Sequence, residues 1–159
     1  MTMNLHFEPV NPANREEVEN LQVLPEQTGM IESVRECMLE ADTLQAWRPV
    51  GIYDGDMLVG FAMYGHFSDP QPEGSVWLDR ILIDRKHQKK GYGKAAVLGL
   101  LERLSREYGK NQIYLSVYQS NTAAISLYQQ LGFQFNGEYD TKGEKIMVCT
   151  VGSNVNHGQ

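Results

Sequence analysis

The strongest constraint on this chain is an abrupt change of period between residues 76 and 108. Val76-Trp77-Leu78-Asp79-Arg80-Ile81-Leu82-Ile83 is a mostly apolar run of strand length. It passes into the loop Asp84-Arg85-Lys86-His87-Gln88-Lys89-Lys90, and from about Gly91 to Tyr108 the apolar residues Ala95, Leu98, Leu101 and Leu104 recur at helical spacing. Gly109 then supplies a helix stop. A strand that feeds an amphipathic helix through so short a loop requires a sheet with helices laid on it, which makes the chain α/β. The loop is basic and has glycines at 91 and 93, where the helix opens. Glycine lets a ligand approach the backbone closely, and the first helical turn has N–H groups without intrahelical partners. With the helix dipole and Lys89, Lys90 and Lys94, this is an anion site in the making. It is neither a P-loop nor a dinucleotide fingerprint, because the required glycine spacings are missing.

The remaining periodicity fills in the domain. Residues 4–10 alternate as a strand, and Asn14 opens a short helix with Glu16 and Glu17 in its first turn. Ile31, Val34, Met38 and Leu39 predict a second helix from about Met30 to Leu44. Val50–Tyr53 and Met57–Phe67 flank Asp54-Gly55-Asp56 as a hairpin, and Ser68–Gly74 is a loop. Ile113–Tyr118 predicts a strand, Thr122–Leu131 a helix closed by Gly132, and Phe133–Tyr139 with Lys145–Val151 a closing hairpin. The expected architecture is one domain over residues 1–151, a mixed twisted sheet of about seven strands with four helices. Residues 152–159 are expected to form a mobile tail.

Composition narrows the class of function. The chain has 159 residues, 42% apolar and 21% charged, as in a globular protein. Its apolar stretches are far shorter than the ~20 residues that span a bilayer, and MTMNLHFEPV lacks the pattern of a secretory signal. Neither Cys37 nor Cys149 has metal or redox spacing, so buried thiols in a reducing cytoplasm and no metal are expected. A net charge of −6, with the acids concentrated in the first sixty residues, argues against nucleic acid as a partner.

Two motifs carry a family resemblance. Gln88-x-x-Gly91-x-Gly93 after an apolar strand resembles the pyrophosphate-binding motif of the GNAT superfamily of acyl-CoA N-acyltransferases. Asn121-Thr-Ala-Ala124-Ile-Ser-Leu127-Tyr128-Gln-Gln-Leu-Gly132-Phe133 resembles that superfamily's other signature, at the expected separation. The resemblance implies acetyl-CoA as co-substrate. It implies that the backbone of Gln88, Lys89, Lys90, Gly91, Tyr92, Gly93 and Lys94 holds the pyrophosphate, while Leu82 and Ile83 pair with the pantetheine arm. It also implies that the strands 76–83 and 113–118 splay apart, and that Asn121 touches the cofactor or caps its helix.

Acetyl transfer to an amine needs a base for the ammonium, a donor for the developing oxyanion and an acid for the departing thiolate. By the resemblance, Tyr128 is the acid and a backbone N–H near Leu82 the oxyanion donor; the other reading of Tyr128 is a half-buried core aromatic. Asp79 is the candidate base, because a carboxylate inside an apolar strand needs a reason. Its other reading is an ion pair, for example with Arg80. Leu58–Gly65, Val76–Arg80 and Ile31-Glu32-Ser33 are similar to bacterial spermine/spermidine acetyltransferases within the superfamily. That likeness points to a polyamine acceptor held by Glu32 and Glu36, read as one turn apart on one helix face, with Tyr64 and Trp77 offering aromatic faces. Other amines (an aminoglycoside, an amino acid, a protein N-terminus) and a non-catalytic acetyl-CoA sensor are the alternatives. Many relatives dimerise, and the resemblance leaves a homodimer open.

Overall fold

Strand β1 (Leu5–Pro9) pairs antiparallel with β2 (Trp47–Asp54), which turns through Gly55 at φ +60° into β3 (Met57–Phe67). The chain is described here from a computed structural model, which covers residues 3–28, 32–67 and 74–151. Between β1 and β2 lie helix α1 (Arg15–Glu19), a 3-10 turn at Pro25–Gln27 and helix α2 (Val34–Thr43). Strand β4 (Ser75–Ile83) and a 3-10 turn at Arg85–His87 precede helix α3 (Tyr92–Tyr108). Strand β5 (Gln112–Val117), helix α4 (Thr122–Gln130) and strands β6 (Gln134–Tyr139) and β7 (Lys145–Thr150) follow. The hydrogen-bonded strand order is β1-β2-β3-β4-β5-β7-β6. The expected mixed α/β sheet of seven strands with four helices is therefore observed, and β4 pairs in parallel with β5 at Val76↔Ile113 and Trp77↔Tyr114.

The contacts divide the chain into two compact units, residues 1–65 with 80–96, and residues 66–79 with 97–159. The first has its own core of Val18, Val34, Cys37, Met38, Phe61, Met63 and Leu82, with Trp47 and Leu58 packed against it. In the second, Leu100, Leu104, Ile113, Leu115, Phe133 and Met147 are buried. Helix α3 buries Leu101 and Leu104 from the face read in the sequence, but Leu98 is 48% exposed.

One boundary differs in a way that matters for function. Helix α2 starts at Val34, because Ser33 is its N-cap: its side chain accepts the Glu36 N–H at 3.1 Å, and Glu36 Oε1 accepts the Ser33 N–H at 2.9 Å. This reciprocal capping box ends the helix before Glu32. Glu32 and Glu36 are therefore not on one face of the second helix, contrary to expectation. The Met30 start of that helix, most of the 68–74 loop and the tail lie outside the described residues.

Gly60 in β3 permits a close approach. A Cβ there would run into the Leu82 carbonyl oxygen and lie 3.0 Å from Ile83 Cδ1. Because the obstacle is backbone, it cannot swing aside. Gly60→Val should lower the melting temperature by several degrees, as overpacking costs roughly 1–3 kcal/mol. It should also disturb the end of β4, read as a larger loss of CoA affinity than any equally destabilising change in β6.

Candidate functional site

The glycine-containing loop is built in the first unit around Asp84, only 8% exposed at the end of β4. Its N–H donates to the Val59 carbonyl at 2.8 Å, so β3 holds it in place. Its carboxylate accepts the Gln22 N–H at 2.9 Å on one oxygen and the Lys86 N–H at 3.1 Å on the other. Buried carboxylates need such partners. Gln88 donates from Nε2 to the Ile83 carbonyl at 3.0 Å, closing the loop on itself.

The chain then twists through two positive φ values, Lys89 at +64° and Gly91 at +89°. Lys89 is the one non-glycine residue with positive φ among those described, and such a conformation persists only where neighbours over-determine it. Helix α3 starts directly after Gly91. Its first bond runs from the Ala95 N–H to the Gly91 carbonyl at 3.1 Å. Among the described residues, no backbone carbonyl accepts from the N–H groups of Gly91, Tyr92, Gly93 and Lys94. Four N–H donors without a backbone carbonyl acceptor thus sit at a helix N-terminus beside the exposed Lys89, Lys90 and Lys94, groups an anion could use.

Tyr92 fastens this terminus to the β2–β3 turn. Its hydroxyl donates to Asp54 Oδ2 at 2.6 Å, and Asp54 Oδ1 accepts the Asn4 N–H at 2.9 Å. The hydrogen bond lowers the Asp54 carboxyl pKa and raises that of the Tyr92 hydroxyl. His87 packs edge-on against the Tyr92 ring, with centroids 6.2 Å apart. The sequence placed Asp54 in the hairpin turn and Asp84 at the head of the basic loop, but not their bonds to Tyr92, Asn4 and Gln22, which join segments distant in sequence.

On β4, Leu78, Arg80 and Leu82 are buried, while Trp77, Asp79, Ile81 and Ile83 are partly exposed. Arg80 therefore points away from the Asp79 face. Its guanidinium is only 7% exposed and meets Glu32 at 2.7 Å and Glu40 at 3.3 Å. Cys37 is buried in the same core, and that burial raises its thiol to about 11. Glu32 is thus an ion-pair partner of Arg80, and Glu36 is part of the α2 cap. Tyr64 is buried in β3.

In the second unit, the Trp77 indole donates to Ser75 Oγ at 3.0 Å and stacks on Tyr114, with centroids 5.3 Å apart. Asn121 caps α4, its Oδ1 accepting the Ala124 N–H at 3.3 Å. Tyr128 is the one buried residue of that helix and meets Phe133 edge-on at 5.7 Å. Burial pushes its hydroxyl up to about 12. Among the described residues, no group of three or more His, Cys, Asp or Glu side chains is arranged to hold a metal, and no helix is long and apolar enough to cross a membrane.

Known proteins resemble this chain over most of its length. Residues 15–133 match the model of the acetyltransferase (GNAT) family. Spermine/spermidine N(1)-acetyltransferase of Bacillus subtilis strain 168 is 43% identical over 149 residues, spanning 92% of this chain and 98% of that protein. A shorter stretch of 56 residues, 35% of this chain and 37% of that protein, is 39% identical to the ribosomal protein bS18-alanine N-acetyltransferase of Escherichia coli strain K12. Among solved structures, spermidine N-acetyltransferase from Vibrio cholerae in complex with CoA and spermine superposes with a TM-score of 0.69 at 18% identity, covering 92% of this chain and 95% of that one. An acetyltransferase from Thermus thermophilus gives 0.72 at 22% identity over 94% of this chain and 98% of that one. The chain belongs to the GNAT family of acetyltransferases.

Proposed function

We propose that this protein transfers the acetyl group of acetyl-CoA directly to a primary amine of a polyamine such as spermidine or spermine. The observation that carries the reading is the likeness to the Bacillus subtilis enzyme, 43% identical over 92% of this chain and 98% of that protein. The four N–H groups without a carbonyl partner at the start of α3, and the lysines beside them, suit a pyrophosphate. The thioester of acetyl-CoA supplies the activated acyl group.

The chain's own residues do the rest. The backbone from Gln88 to Lys94 holds the phosphates, and Leu82 and Ile83 offer backbone groups to the pantetheine arm. A backbone N–H near Leu82 donates to the developing oxyanion. Asn121 adds a polar contact to the coenzyme beyond its capping role. Asp79 takes a proton from the acceptor ammonium or holds it in place, and Tyr128 returns a proton to the sulfur. Trp77 faces the acceptor with aromatic surface, whereas Tyr64, expected to do the same, is buried in β3. Glu36 contributes negative field from the first turn of α2, and Glu32 does so with part of its charge met by Arg80.

Gly91 tests the coenzyme assignment. At φ +89°, a valine there is strained and crowds the approach of a phosphate. Gly91→Val should weaken CoA binding at least tenfold by calorimetry; unchanged affinity in a folded variant would remove the site from this loop.

Tyr128→Phe should keep the fold and CoA affinity and lower turnover about 100-fold, the scale of general-acid assistance. Because burial holds the hydroxyl protonated up to about 12, the wild-type rate should show no alkaline fall at the ordinary tyrosine value near 10. A pH–rate profile to about pH 11 checks this. Turnover of Tyr128→Phe within about twofold of wild type, with chemistry rate-limiting, would leave only a packing role.

Asp79→Asn separates base from anchor. A base predicts a large fall in kcat/KM for spermidine that higher pH partly restores, since more amine arrives deprotonated. An anchor predicts a raised KM at nearly constant kcat. Spermidine and spermine performing no better than simple monoamines across an amine panel would end the polyamine assignment.

A further inference from the structure

Two segments of the first unit, far apart in sequence, are stitched together beside the loop just described. The Gln22 N–H donates to the Asp84 carboxylate at 2.9 Å, and the Arg85 N–H donates back to the Gln22 carbonyl at 2.7 Å. A little further along each segment, two amide side chains meet head to head across 61 residues of sequence. Gln88 Nε2 donates to Gln27 Oε1 at 2.9 Å, and Gln27 Nε2 donates to Gln88 Oε1 at 3.2 Å. Both donors of Gln88 are then occupied, one by Gln27 and the other by the Ile83 carbonyl. Gln27 is fixed in turn, because its Oε1 also accepts the Leu24 N–H at 3.0 Å.

This matters because Gln88 immediately precedes Lys89, whose left-handed backbone must be held by its surroundings. A helix N-terminus binds an anion well only if its N–H groups already point the right way before the ligand arrives. The Gln88 side chain carries no spare N–H for a ligand, so it serves the path of the loop.

We propose that Gln27 is a positioning residue for the coenzyme loop. Acting through Gln88, it holds the turn from Ile83 to Gly91 in its binding shape. The coupling is reciprocal: coenzyme bound at the loop stiffens the 22–28 segment. The inference rests on the coenzyme reading of residues 88–94.

Calorimetry with CoA and hydrogen exchange on the full chain test it. Losing a reciprocal pair of neutral hydrogen bonds corresponds to about 3- to 10-fold in affinity. Gln27→Leu should weaken CoA by that factor and raise KM for acetyl-CoA, with kcat at saturating acetyl-CoA close to wild type. Gln88→Leu should lose a similar factor, and the double variant should be no worse than the worse single. In wild type, CoA should slow amide exchange across residues 22–28, a measurement that needs no variant; Gln27→Leu should abolish that slowing. Three results overturn the proposal: CoA affinity within about a factor of two of wild type in folded Gln27→Leu, additive losses in the double variant, or wild-type exchange at 22–28 indifferent to CoA. Gly91→Val serves as the control. If it too binds CoA normally, the coenzyme reading itself has failed; if it loses CoA while Gln27→Leu does not, only the role of Gln27 has failed.

Discussion

Asp84 is taken almost wholly out of water, and the geometry of the loop depends on how its charge is satisfied. Both carboxylate oxygens accept backbone N–H groups, from Gln22 and from Lys86, while its own N–H and carbonyl engage Val59 and His87. A buried carboxylate without such donors would cost several kcal/mol. With them, one side chain fixes where β4 ends, how the 3-10 turn starts and where the segment after α1 lies. Everything downstream, including the twist at Lys89 and the open N-terminus of α3, is built from that fixed point.

The same arithmetic governs the acids of the first sixty residues. Taken together they look like a field for a cation, yet several are committed internally. Arg15 pairs with Glu19 at 2.8 Å and with Asp42 at 2.7 Å, which lowers the Asp42 carboxyl pKa. Buried Arg80 takes Glu32 and Glu40. Removing one partner of a buried pair leaves an uncompensated charge, so substitutions at Glu32 report on the core as well as on any acceptor.

The elements with a clear period were legible: the β2–β3 hairpin, β4, α3 and α4 lie within a few residues of their expected bounds. The glycines that close α3 and α4 also read correctly, with Gly109 at φ +66° and Gly132 at φ +101°. The start of α2 was misplaced because Ile31 fits the helical spacing, whereas Ser33-x-x-Glu36 is the signal that sets it. The parity of β4 set Asp79 apart from Leu78 and Leu82, as its burial pattern shows. What period and motif do not encode is pairing at a distance. Gln27 with Gln88, Asp54 with Tyr92 and Arg80 with Glu32 each join segments whose meeting is decided by the whole fold. A single glutamine in a polar stretch announces none of it.

The β2–β3 and β6–β7 turns look interchangeable from outside, since both are short, polar and glycine-bearing. The turn between β6 and β7 is self-contained in its backbone bonds, with Asp140 accepting the N–H groups of Lys142, Gly143 and Glu144. The turn between β2 and β3 is not, because the residue that opens it, Asp54, also holds Asn4 and the Tyr92 hydroxyl. A peptide tag or fluorescent reporter spliced at residues 141–143 would pull on Glu144, whose buried carboxylate accepts the Ser116 hydroxyl of β5 at 3.0 Å. The same graft at residues 55–56 would pull on the first turn of α3. For anyone engineering this protein, the turn at residues 55–56 is a handle on the coenzyme loop, because Asp54 ties it to Tyr92.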